Sequence, residues 1–74
     1  MERIKVKGKE AKLIVLNALN KYGDKKVMCA EQHIDKYFDN IVQCEINNEL
    51  GLTMKELTYR LCLHGPDILV IEEE

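Results

Sequence analysis

The residues of this chain with the most obvious chemistry are its three cysteines and two histidines, which could bind a metal or act as nucleophiles. Cys29 and His33 form a C-x-x-x-H pair, and Cys62 and His64 form a C-x-H pair. Zinc sites usually contain C-x₂₋₄-C or H-x₃₋₅-H pairs instead. Cys44 falls at an inward position of a strand pattern, where a free cysteine behaves as a small hydrophobic residue. We therefore expect no bound metal and no cofactor.

Catalysis by one of these thiols would require further residues that the sequence does not supply. A nucleophilic cysteine needs a general base and donors that stabilise the oxyanion. No glycine-rich turn adjoins any cysteine, and a chain of 74 residues has little room for a pocket of enzyme dimensions. The sequence thus predicts a protein without catalytic residues and without enzymatic activity.

A row of basic residues at the start of the chain is the second feature with chemical meaning. RIKVKG alternates, which predicts a half-buried strand with Ile4 and Val6 on one face and Arg3, Lys5 and Lys7 on the other, open face. Proteins that bind single strands combine such a row with aromatic residues that stack on bases, and this strand has none. Two interpretations stay open: a solvated charged face, or a nucleic-acid contact formed by Arg3, Lys5 and Lys7.

The elements that position these residues follow from the spacing of the apolar ones. A helix is predicted over residues 9–22, ended by Gly23. Its expected buried stripe comprises Ala11, Ile14 or Val15, Ala18 and Tyr22, widened by Leu16 and Leu19. A second strand over residues 25–34, a turn over 35–40 and a third strand over 41–46 follow.

The second helix has the best-marked start in the sequence. Thr53 and Glu56 match a capping box, and Leu52 and Leu57 would form the accompanying hydrophobic staple. Gly65, followed by proline, is expected to end this helix. The remaining DILVIEEE predicts a final strand that is apolar on both faces.

The element order β-α-β-β-α-β predicts one α+β domain over residues 1–74. We expect a ferredoxin-like fold, with two helices on one face of a four-stranded antiparallel sheet and the last strand at an edge beside the first. An edge strand apolar on both faces needs cover. Either Tyr37 or Phe38 folds over it, or a partner contacts an interface formed by Ile68, Leu69, Val70 and Ile71. Residues 72–74 would then be solubilising glutamates beyond the strand.

Composition limits the classes of partner and location. The net charge of −2 and the pI near 5.7 argue against non-specific binding to duplex nucleic acid. No apolar run approaches the length of a membrane span, and the first residues lack the pattern of a signal peptide. Three cysteines cannot form a disulfide framework. We expect a cytoplasmic protein without membrane contact.

The segment Glu56–Glu72, ELTYRLCLHGPDILVIE, resembles the closing signature of the WCX domain, the C-terminal extension of bacterial WYL-domain transcriptional regulators. That signature is a helix beginning with Glu-Leu and ending in Gly, followed by a strand of the form V-x-V-L-x-P. In this chain Glu56-Leu57, Leu61, Gly65, Val70-Ile71 and Glu72 occupy the matching places. The family often has Trp where this chain has Arg60 and Pro where it has Glu73.

The resemblance implies a non-catalytic regulatory and dimerisation domain, which relays ligand binding to a DNA-binding domain absent from this chain. It implies a homodimer or a contact with a preceding WYL domain, and a nucleic-acid ligand near Arg3, Lys5 and Lys7. The alternatives are a free-standing ferredoxin-like module that binds a small molecule, and a module that binds single-stranded nucleic acid.

Overall fold

The structure, a computed structural model, describes residues 1–74. Its elements are β1 (Glu2–Lys7), α1 (Lys9–Leu19), β2 (Val27–Glu31), β3 (Ile41–Glu45), a short 3₁₀ helix (Asn48–Leu50), α2 (Met54–Cys62) and β4 (Ile68–Glu73). The β-α-β-β-α-β order agrees with the sequence pattern. Neither helix has the length and hydrophobicity that crossing a membrane requires.

All four strands belong to one parallel sheet in the order β1-β4-β2-β3. The predicted antiparallel ferredoxin-like fold is therefore wrong. The error begins between β2 and β3, because residues 32–40 form a crossover that returns along the sheet instead of a hairpin turn. It also places β4 in the interior of the sheet between β1 and β2, and not at an edge.

The apolar run of β4 has a physical reason in this topology. Central strands of a parallel sheet are covered on both faces and read as continuous hydrophobic runs. One core layer lies between the sheet and α1 and comprises Val6, Leu16, Val27, Cys29, Phe38, Ile41 and Val70. The other lies between the sheet and α2 and comprises Met28, Ala30, Leu57, Leu61, Leu69 and Ile71. The two helices thus cover opposite faces.

The opposite placement of the helices follows from the strand order. The connection from β1 through α1 to β2 crosses the sheet in one direction, and the connection from β3 through α2 to β4 returns in the other. Right-handed crossovers in opposite directions place their helices on opposite faces of the sheet. The chain's own helices therefore cover both sides of β4, and no partner is needed for that purpose.

The buried face of α1 differs from the predicted stripe. Leu16 is fully buried, with Leu13, Val15 and Leu19 partly buried around it, whereas Ile14 is 71% exposed. The predicted members Ala11, Ala18 and Tyr22 are also exposed. The unexpected member of the buried face is Lys12, with no exposed side-chain surface.

The two helices also end differently. Helix α1 ends at Leu19, before the predicted Gly23, and the next residue is held by the segment before β3: the backbone N–H of Asn40 donates to Asn20 Oδ1 at 2.9 Å. The predicted cap of α2 is confirmed, since Thr53 Oγ1 accepts a hydrogen bond from the Glu56 N–H at 3.2 Å. Gly65 adopts the left-handed conformation with φ of 62° just beyond this helix.

Candidate binding groove and buried ion cluster

A groove of about 560 Å³ lies between α2 and the edge strand β1. Helix α2 covers the central strands β2 and β4, so the same face of β1 remains uncovered beside it. Helical positions spaced by about one turn form one wall, β1 forms the other, and β4 forms the floor. The groove is lined by Arg3, Lys5, Met54, Lys55, Thr58, Tyr59, Cys62, Ile71 and Glu73.

The groove carries three cations and one carboxylate. None of the ion pairs in the structure includes Arg3, Lys5 or Lys55. Arg3 is held toward α2, because its Nη2 donates to Cys62 Sγ at 3.4 Å. Three cations against Glu73 give this groove a net positive charge in a protein whose overall charge is −2.

An aromatic ring and an apolar floor accompany these cations. Tyr59 lines the groove and is 60% exposed, while Met54 and Ile71 contribute apolar surface. Tyr59 follows Lys55 by four residues, and this spacing places both side chains on the same face of α2. The aromatic residue that β1 lacks is therefore supplied by the neighbouring helix.

The structure divides the basic row of β1. Arg3, Lys5 and Lys7 do share one face, but that face is the α2 face and not an open sheet face opposite both helices. Arg3 and Lys5 line the groove, whereas Lys7 does not. Lys7 lies in register with Glu73 of β4, which brings an opposite charge next to it.

A second polar cluster lies on the α1 face, at the carboxyl ends of the strands. Lys12 Nζ donates to the His33 carbonyl oxygen at 2.7 Å, to Asp35 Oδ2 at 2.9 Å and to Glu72 Oε1 at 2.9 Å. These bonds use all three N–H groups of an ammonium. Glu31 Oε1 lies 3.1 Å from the same Nζ and has no hydrogen-bond donor, so its contact with Lys12 is an ion pair.

This ion cluster is closed to solvent at its centre. The side chains of Lys12 and Glu31 have no exposed surface, and that of Glu72 has 9%. Burial alone would lower the pKa of Lys12, but the carboxylates of Glu72, Asp35 and Glu31 raise it by more, well above its ordinary value. The hydrogen bond from Lys12 in turn lowers the pKa of Asp35. The lysine therefore stays charged at all physiological pH values.

Further hydrogen bonds extend the cluster to β3 and to the crossover. The Gln32 backbone N–H donates to Glu72 Oε1 at 3.0 Å, and Gln43 Nε2 donates to Glu31 Oε2 at 3.0 Å. Glu45 Oε1 accepts from the Ile34 backbone N–H at 2.7 Å. None of Lys12, Glu31 or Glu72 lines a groove. The cluster thus fastens the crossover and α1 to the sheet.

The cysteines and histidines do not converge. Cys29 and Cys44 face opposite sides of the sheet, Cys62 lines the groove, and all three thiols are free. Burial, reinforced by the charge of Glu31, raises the pKa of the Cys29 thiol, and the same two causes raise that of Cys44. No group of three or more His, Cys, Asp or Glu side chains has the arrangement of a metal site. Both raised pKa values leave protonated, weakly nucleophilic thiols.

The residues proposed as a partner interface lie inside the sheet. Leu69 and Val70 have no exposed surface, Ile71 has 6%, and Ile68 packs partly buried against the α1-side core. Phe38, one of the two residues expected to cover the strand, is buried in that same core, whereas Tyr37 is 77% exposed. In this fold, Ile68–Ile71 contact the chain itself.

A scan against protein-family models finds no match, and a search of curated proteins finds no relative of this sequence. The resemblance of Glu56–Glu72 to the WCX domain therefore stays a prediction from the residues. The fold and the groove together define the class of protein, a small parallel α/β domain with one cationic surface groove.

Proposed function

We propose that this chain is a non-catalytic binding module that holds an anionic ligand in the groove between β1 and α2. The observation that carries the proposal is the convergence of Arg3, Lys5 and Lys55, all without an acidic partner, on the larger groove of an acidic protein. Cations left unpaired in a cleft raise the local concentration of anions.

The absence of enzymatic activity and the cytoplasmic location are parts of the same proposal. The raised pKa values of Cys29 and Cys44 support a non-catalytic role, because thiols that stay protonated are poor nucleophiles. The closed ion cluster around Lys12 supports it too, since its carboxylates are occupied in holding the fold. Three free thiols are typical of a reducing compartment.

The test is a titration of the ¹⁵N-labelled protein with sodium triphosphate at low ionic strength, followed by amide chemical shifts. We expect the shifts to change at β1 and at the groove face of α2, and the binding to weaken strongly in Lys5→Gln. Lys7→Gln is the matched control, because it removes the same charge from the same face of β1 outside the groove. Equal losses in the two variants, or shifts confined to other surfaces, would refute a groove-specific site.

The second candidate is the role implied by the resemblance, a regulatory domain of a WYL-type transcriptional regulator. Its support is the match over Glu56–Glu72, whose helix has the predicted capped start. The ferredoxin-like fold predicted for such a domain from the element order is contradicted by the parallel sheet. A homodimer, or a contact with a WYL domain, would have to use a surface other than Ile68–Ile71. The test is whether the same reading frame encodes a helix-turn-helix domain upstream of Met1.

A further inference from the structure

Resting on the proposed function, we infer that the groove ligand is single-stranded nucleic acid, with its phosphates along β1 and a base stacked on Tyr59. The groove combines cationic side chains on β1 with an aromatic ring on α2. Arg3 and Lys5 lie on one wall, two positions apart on a strand, which spaces their α-carbons by about 6.6 Å. Tyr59 stands on the opposite wall with 60% of its surface exposed.

The aromatic ring separates nucleic acid from other anions. The face of an aromatic ring carries a partial negative charge, so it contributes little to holding a carboxylate or a bare phosphate. A nucleobase stacks on that face whatever its sequence, and its phosphate needs a cation nearby. The apolar surface that Met54 and Ile71 add to the groove suits the face of a base. A single strand uses every part of the groove.

The charge distribution distinguishes a single strand from a duplex. A duplex presents phosphates over a broad surface and is bound by extended basic patches. Here the groove contains only three of the chain's eleven lysines and arginines, and the overall charge is −2. Glu73 marks one end of the groove, near Lys7 in the register of β1 with β4. Helix α2 runs opposite to β1, with Cys62 beside Arg3, so Lys55 lies toward the Glu73 end. The phosphates are therefore expected chiefly at Arg3 and Lys5.

The experiment measures the affinity of the full chain for fluorescein-labelled ten-residue oligothymidylate by anisotropy, beside three competitors. These are an abasic oligonucleotide of the same length, a ten-residue oligoglutamate and a duplex of the same length. We expect oligothymidylate to bind most tightly, with a slope of about −2 in log K against log salt for three neutralised phosphates. Lys5→Gln should make that slope shallower by about 0.7.

Tyr59→Ala is the variant that decides the ligand class. Loss of one stacked base should weaken binding of oligothymidylate by about fivefold to a hundredfold and leave the weak binding of the abasic strand unchanged. Tyr59→Phe keeps the ring and should bind like the wild type. Tyr37→Ala is the matched control, because Tyr37 is 77% exposed and lies outside the groove. Circular dichroism confirms that each variant is folded.

The outcomes separate the two proposals. If the abasic strand, the oligoglutamate or the duplex binds as tightly as oligothymidylate, or if Tyr59→Ala has no effect, the ligand is not a single strand. The groove would still be an anion site if Lys5→Gln, and not Lys7→Gln, weakened that binding. If no anion binds at low salt, both the ligand class and the proposed function are wrong.

Discussion

Replacing Lys12 by methionine should destabilise this domain more than any other single change of a charged residue. The substitution keeps an unbranched side chain, one atom shorter, and removes the ammonium. It leaves Glu31 without its ion pair and Glu72 without its 2.9 Å hydrogen bond, while both side chains remain buried. Asp35 has 18% of its side chain exposed and can be rehydrated in part.

The magnitude follows from the two carboxylates that stay buried. Breaking a buried ion pair by removing one partner costs about 3–5 kcal/mol, because the remaining charge is uncompensated. Gln43 still donates to Glu31, and the Gln32 backbone N–H still donates to Glu72. These two hydrogen bonds keep the cost near that range although two charges are left. Small domains are stable by only about 5–15 kcal/mol in total, so the variant should be barely folded at room temperature.

The assay is urea unfolding at pH 7 followed by circular dichroism, with Lys9→Met as the matched control. Lys9 also approaches Asp35, at 3.6 Å, but its side chain is 64% exposed. A solvated ion pair contributes about 0–1 kcal/mol, so Lys9→Met should unfold close to the wild type. Adding Glu31→Gln and Glu72→Gln to Lys12→Met should restore much of the loss, because both uncompensated charges are then removed.

A loss below about 1 kcal/mol in Lys12→Met would refute this reasoning. It would mean that water reaches the cluster and that the carboxylates are solvated without the lysine. A triple variant no more stable than Lys12→Met alone would also contradict it, since the cost would then come from lost packing and not from buried charge.

Two further predictions concern acid stability and the last strand. The pKa of Asp35 is lowered in the folded state, so its stabilisation is present above the ordinary value of 3.8 and is lost as the pH falls through the folded value. The raised pKa of Lys12 affects stability only at alkaline pH: its stabilisation is complete below the ordinary value of 10.5 and is lost as the pH rises beyond that value. The urea concentration at the midpoint of unfolding should therefore fall steeply below about pH 4, and it should fall less in Asp35→Asn. An Asp35→Asn variant that loses as much stability in acid as the wild type would contradict this role of Asp35. Leu69→Asp and Val70→Asp should each unfold the protein, because their side chains are fully buried on opposite faces, whereas Leu63→Asp, at a residue 70% exposed, should not. Circular dichroism shows whether each variant is folded, and sedimentation equilibrium gives its oligomeric state. If the wild type is a dimer and either variant is a folded monomer, the last strand forms an interface between copies instead.

The element order could be predicted because each element carries a local signal. Alternation in RIKVKG, the Thr53 cap of α2 and the glycine at Gly65 depend only on neighbouring residues, and the structure confirms all three. The second hydrogen bond of the predicted capping box does not form, because Glu56 Oε1 accepts from Arg60 Nε instead. The topology depends on contacts between distant residues. The central position of β4 was indicated by Ile68–Ile71, since apolar runs without alternation are typical of parallel strands between two layers.

The prediction of an antiparallel sheet is wrong because it assumes a hairpin between β2 and β3. Under that assumption the apolar run Ile68–Ile71 falls in an edge strand. Val27–Ala30 is a second apolar run, and the two together favour a sheet covered on both faces. The alternating strands β1 and β3 then fall at the edges, as observed. A connection of residues 32–40 has the length of a long hairpin loop, and it becomes a crossover only because Phe38 and the hydrogen bonds of the ion cluster fix it on the α1 face.

The sequence indicates part of the groove and gives no clear indication of the ion cluster. Arg3 and Lys5 stand out as an alternating basic row, but Lys55 and Tyr59 are ordinary surface residues of an amphipathic helix until α2 is placed beside β1. Lys12 stands among charged residues at the start of α1, where a solvated lysine is the usual interpretation. The available signal was its place between helix positions that face the sheet.

The three terminal glutamates show why residue type alone could not assign these roles. Successive residues of a strand point to opposite faces, so Glu72 enters the ion cluster on the α1 face, while Glu73 lines the groove on the α2 face. Only Glu74 lies beyond the strand. The prediction that all three are solubilising residues therefore fails for Glu72, which is 7% exposed. One strand thus places one glutamate where it stabilises the fold and the next in the groove that we propose binds an anion.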